Sequence, residues 1–75
     1  MYKRLLIVAR DYNQAQHWAK DQRMSPGQYV YVSSYHNILG NIGCEYVLLE
    51  GWELRPDSDQ LSEHLKTHCT ERDAT

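Results

Sequence analysis

Phenylalanine is absent from the 75 residues, and cysteine, proline and methionine occur only twice each. Without Phe the aromatic bulk falls on six Tyr and two Trp, whose polar tips seek a hydrogen-bond partner or water, a composition suited to half-buried surfaces and interfaces. Two cysteines, Cys44 and Cys69, are too few for a disulfide scaffold and read as free thiols of a reducing compartment. No apolar run approaches the roughly 18 residues of a membrane span, and the first residues lack the basic, apolar and small-residue order of a secretion signal. A soluble, cytoplasmic protein with no membrane partner is expected. Excess basic charge is missing too: eight Lys and Arg against ten Asp and Glu leave a net charge of -2, which disfavours nucleic acid as a partner. What remains, 41% hydrophobic and 24% charged, is the composition of one small globular domain. A chain this short buries only about 60% of its unfolded surface, so self-association or a partner is a natural source of added stability.

The segment Arg4-Leu5-Leu6-Ile7-Val8-Ala9 is an apolar run bounded by charge, which predicts a strand covered on both faces at the centre of a sheet. Asp11 with Gln14 three positions on forms a capping-box pattern ahead of the stripe Ala15, Trp18, Ala19, predicting an amphipathic helix over about residues 12 to 23. Ser25-Pro26-Gly27 is a turn. From Gln28 to Ser33, Tyr29 and Tyr31 alternate with Val30 and Val32, as in an outer strand. The stretch from Ser34 to Gly43 mixes turn formers with Ile38 and Leu39 and suggests one helical turn inside a crossover. Glu45 to Glu50 predicts a third strand, stopped by Gly51. Pro56 with Asp57 or Ser58 marks a helix start, Gln60 lies three after Asp57, and Leu61, Leu65, His68 and Cys69 share one face of a helix over about residues 58 to 69.

The order strand, helix, strand, crossover, strand, helix predicts an α/β fold: a small three-stranded parallel sheet, order 2-1-3, flanked by two helices in a Rossmann-like arrangement. Residues 1–69 form the domain and residues 70–75 read as a flexible tail. This topology gathers the loops that follow all three strands at one edge of the sheet, the carboxyl edge, where open α/β sheets bind ligands.

That edge collects Arg10, Ser33, Ser34, Tyr35, His36, Trp52, Glu53 and Arg55 as candidate binding residues. Arg10 and Arg55 suit a small anion, and Glu50, Glu53 and His36 are acid and base types, whereas Asp11 has a plain role as a helix cap. Trp and Arg dominate interface hot spots, which singles out Trp52 and Arg55, although Trp52 could equally fold back over the last helix. Both nucleotide fingerprints fail, because Ala9-Arg10-Asp11-Tyr12-Asn13 has no glycine and no Gly-Lys-Ser/Thr, and no cofactor is implied. Cys44, His64, His68 and Cys69 are four soft metal ligands in principle, but closely paired cysteines are missing and no metal site is assigned. Cys44 beside Glu45 is a poor nucleophile. Tyr29, Tyr31 and Tyr35 could stack bases, or serve as packing surface for a helix.

The segments Ala15 to Ala19, Tyr29-Val30-Tyr31-Val32, Leu39-Gly40, Gly51-Trp52 and Arg55-Pro56-Asp57 resemble those of small α/β proteins encoded by actinobacterial phages. Such proteins are similar to a P-loop NTPase core that lacks its phosphate loop. The basic residue expected between Leu39 and Gly40 is missing here. The resemblance implies a phage origin, the host cytoplasm, and no catalytic residues. Small size, absent catalytic motifs and surface aromatics together lead to a non-enzymatic binding protein that engages a host or phage protein through the strand-end loops. Two alternatives stand beside it: a nucleotide or nucleic-acid ligand held by Arg10, Ser33, Ser34 and Arg55, and a self-associating subunit joined through Tyr29 and Tyr31.

Overall fold

A computed structural model describes residues 4–72. The described residues form an α/β fold with four parallel strands: β1 (Leu5–Val8), β2 (Tyr29–Tyr31), β3 (Glu45–Leu48) and β4 (Thr70–Glu71), in the order β2-β1-β3-β4. Three helices connect them: α1 (Tyr12–Asp21), α2 (Tyr35–Leu39) and α3 (Ser58–His68). Short 3₁₀ turns lie at Pro26–Gln28 and Trp52–Leu54.

β1 sits between β2 and β3 because its four residues are buried on both faces. The chain steps one way across the sheet from β1 to β2 and the other way from β2 to β3, so crossovers of one hand place their helices on opposite faces. On the α1 face, Leu5, Ile7, Ala9 and Val47 pack with Ala15 and Ala19. On the other, Leu6, Val8, Val32 and Tyr46 pack with Ile38 of α2 and with Leu61 and Leu65 of α3. The period-2 alternation of β1 thus divides one apolar run between two cores.

Three sequence expectations need correction. The sheet has four strands, not three, because Thr70 and Glu71, read as the start of a tail, add to the open edge of β3: Thr70 N–H donates to Cys44 O at 3.2 Å and Arg72 N–H to Tyr46 O at 2.7 Å. A two-residue strand carries no period for sequence reasoning to find; the unpaired edge of β3 supplies the template. The rest of the expected tail, residues 73–75, and residues 1–3 of the expected domain lie outside the described residues. The helices number three, since the expected crossover turn is α2. Finally, Asp57 precedes α3 but does not cap it through its side chain, which Arg55 holds instead.

α1 is capped as its sequence indicates: Gln14 N–H donates to Asp11 Oδ1 at 2.8 Å, and Arg10 N–H to Gln14 Oε1 at 2.8 Å. Its other end closes with a Schellman turn, in which Met24 N–H reaches Ala19 O and Arg23 N–H reaches Lys20 O, both at 2.9 Å. Arg23 takes the left-handed conformation there, φ 57°, at the position glycine normally fills. Tyr29 and Tyr31 are half-buried against the α1-side core, so that face of β2 is packing surface in part.

Candidate functional site

The carboxyl edge is organised by Arg55. Its Nε and Nη2 donate to the two carboxylate oxygens of Asp57, each at 3.0 Å. Nη1 donates to Ala9 O at 3.2 Å and Val32 O at 2.7 Å, and Nη2 to Ser33 O at 2.9 Å. A guanidinium has five N–H groups, and all five are committed here. The side chain is 10% exposed and its Cζ lies 5.7 Å from the centroid of the Tyr31 ring, a cation–π contact. Arg55 therefore ties the ends of β1 and β2 to the loop after β3, and no donor of its fork is left for an anionic ligand.

The β1–α1 connection is closed in the same way. The carboxylate of Asp11 takes up the Gln14 N–H at the start of α1, and Gln14 Nε2 donates across to Glu50 O at 2.7 Å. Arg10 pairs with Asp11 at 3.5 Å and remains largely exposed. Beside it a shallow cleft of about 610 Å³ is lined by residues of α1 together with Leu49 and Glu50, and includes His17, Trp18 and Asp21.

After β2, Asn37 is the organising residue: its Oδ1 accepts from Ser33 N–H at 2.9 Å, Ser33 Oγ at 2.9 Å and Ser34 N–H at 3.1 Å. Ser33 and Ser34 are thereby engaged in starting α2. Ser34 Oγ lies 3.3 Å from His36 Nδ1, and the His36 ring stacks on Tyr35 at 4.2 Å. Tyr35 stacks in turn on His64 at 5.1 Å, and His64 faces His68 at 6.1 Å, which joins α2 to α3 by a column of rings.

The predicted candidates consequently divide. Arg10, Ser33, Ser34, Glu53 and Arg55 share the carboxyl edge; His36 stays exposed beside Ser34, whereas Tyr35 turns toward His64 of α3 and Trp52 is half-buried against the α3-side core. Trp52 folds back over the last helix, the second of its two sequence readings. Tyr12 and Leu54 were not singled out, yet they are the large apolar side chains this edge exposes: Tyr12 is 53% and Leu54 78% accessible. Their spacing carried no sign of it, since exposure of a single leucine is a property of the folded loop. Tyr12 stands edge-on to Tyr31, centroids 5.7 Å apart, which fixes it beside the Arg55 clamp. Of the charged groups at this edge, Asp11, Glu50, Glu53 and Asp57 outnumber Arg10 and Arg55.

No group of three or more His, Cys, Asp or Glu among the described residues is arranged to hold a metal ion. Cys44 is buried in the α3-side core and Cys69 packs against it. Burial pushes the Cys69 thiol above its ordinary range, which makes it a poor nucleophile. No helix of the described residues is long and apolar enough to cross a membrane. No protein-family model matches the chain, and no curated protein or solved structure is similar enough to match it.

Proposed function

We propose that the protein is a non-enzymatic docking module whose carboxyl edge engages a partner protein through Leu54 and Tyr12. One observation carries this reading: Leu54, 78% exposed, stands on a short turn immediately before Arg55, so an apolar side chain is presented to water on the loop after β3, which Arg55 fixes to the ends of β1 and β2. A presented apolar group on a rigid support loses little conformational entropy on binding. The excess of carboxylates around it favours a partner with a basic rim. The same excess, with Arg55 and the start of α1 already occupied, weighs against a nucleotide or nucleic acid at this edge. A Rossmann-like core without a phosphate loop fits a docking role, and a phage origin would make the partner a host or phage protein.

Leu54→Asp and Tyr12→Ala alter exposed side chains and should leave the circular dichroism spectrum unchanged. Immobilised wild-type chain is expected to retain a protein from extract of the cells that produce it, and both variants to lose that protein. Equal retention by wild type and variants, or no retention by wild type, removes the reading. Trp52→Ala and Arg55→Ala are unsuitable probes, because both side chains belong to the packing of the domain.

A further inference from the structure

The basic side chains that the carboxyl edge lacks assemble at the opposite, amino edge of the sheet. A cleft of about 520 Å³ lies there, and its lining includes Arg4, Arg23 and Arg72 together with Gln22, Gln28 and Glu45. Arg4 immediately precedes β1, Arg23 closes α1, and Arg72 follows the two-residue β4, which pairs with Glu45 and Tyr46 at the start of β3, so the parallel sheet brings residues far apart in sequence to one edge. Three arginines and one glutamate line it, an excess of two positive charges on a chain whose net charge is -2. Glu45 is held by Arg72 at 2.7 Å. Arg4 and Arg23 form no ion pair with another described residue.

The end of α1 offers a structural use for Arg23, since cations offset the partial negative charge of a helix C-terminus. That use is weak here. The terminal carbonyls of Trp18, Ala19 and Lys20 already accept backbone N–H groups from Gln22, Met24 and Arg23. Arginine in place of glycine at a left-handed position also strains the backbone, and strain of this kind gathers at binding sites.

We propose that this cleft binds a small phosphate-bearing anion through Arg4, Arg23 and Arg72. A guanidinium fork matches the oxygen geometry of phosphate, and the volume suits a ligand up to nucleotide size. The site is separate from the docking edge, so failure of either reading leaves the other standing.

The test is titration of the full chain with inorganic pyrophosphate, followed by two-dimensional NMR of the backbone amides, and repeated with AMP. Saturable shifts centred on Arg4, Leu5, Met24 and Gly43 at up to about millimolar concentration are expected. Arg23→Gly should weaken binding at least about tenfold while raising the melting temperature, because glycine relieves the strain. Arg4→Gln should weaken binding similarly, and Lys66→Ala on the exposed face of α3 should not. Tighter binding of AMP assigns the phosphate to a nucleotide and tighter binding of pyrophosphate to a free polyphosphate, and either supports the site. Absence of saturable shifts, shifts spread over all basic residues, or undiminished binding by Arg23→Gly overturns the proposal.

Discussion

Removing the guanidinium of Arg55 leaves the carbonyls of Ala9, Val32 and Ser33 and the carboxylate of Asp57 without its donors, at a place where the side chain is only 10% exposed. Loss of one partner of such a pair costs far more than the pair contributes net, because the other groups stay desolvated and unpaired. Arg55→Ala is therefore expected to lower the stability by about 3 kcal/mol, read as a fall in the urea midpoint. Arg55→Lys should recover little of it, since a single ammonium offers three donors from one point and lacks the planar fork. The sequence marked Arg55 as important for the opposite reason. An arginine beside Pro56 and Asp57 reads as a ligand donor until its five contacts are known, and three of those are to carbonyls at least 22 positions away.

At the scale of single elements, the two helices with an acidic residue before them start differently. Asp11 caps α1 with its side chain, while the side chain of Asp57 turns back to Arg55 and leaves α3 without a side-chain cap. Both carry the same local pattern, an acid followed three residues later by Gln. A nearby guanidinium outcompetes the helix N–H groups for the carboxylate, since the charge-assisted, bidentate pair is the stronger one. α2 has only five residues, too few to persist alone, and depends on Asn37 for its entry and on Ile38 for its anchor. Asn37→Ala removes one acceptor shared by three donors and should cost about 1 to 2 kcal/mol. Loss of the amide cross-peaks of Ser33 and Ser34 from their protected positions in hydrogen exchange would show that the entry to α2 has opened. α1 and α3 were legible because an apolar stripe repeats over several turns, and α2 was legible only as one turn because Ile38 and Leu39 are all the stripe it has.

Across the whole molecule, charge and burial are distributed by the sheet. Parallel strands that begin at one edge and end at the other separate the arginines before β1, after α1 and beside the start of β3 from the carboxylates that follow β1 and β3. Tyr46 is buried between the sheet and the α3 side, and burial, with Glu71 and Cys69 nearby, raises its phenol above the ordinary value. In the unfolded chain tyrosine ionises near about pH 10. The stabilisation from keeping this phenol neutral in the fold is thus fully present below that pH and is lost as pH rises toward the raised folded value. Thermal melts between about pH 9 and 11 should show a steeper decline for wild type than for Tyr46→Phe, which has no group to ionise. Parallel decline of the two would assign the alkaline loss to other groups.

Local patterning by itself determined the α/β class, the central place of Leu5–Val8, the parallel order β2-β1-β3 and the approximate extent of α1 and α3. Each of these follows from the period of apolar residues, from turn formers between them, and from the single hand of crossover connections. Tertiary structure alone decided that Thr70–Glu71 is a strand, that Arg55 is a clamp, that Trp52 is packed while Leu54 is presented, and that Arg4, Arg23 and Arg72 share a cleft. These outcomes depend on groups distant in the chain meeting at a strand edge or a loop end. Hydrogen bonding and charge act through space, and a sequence pattern records only neighbours along the chain.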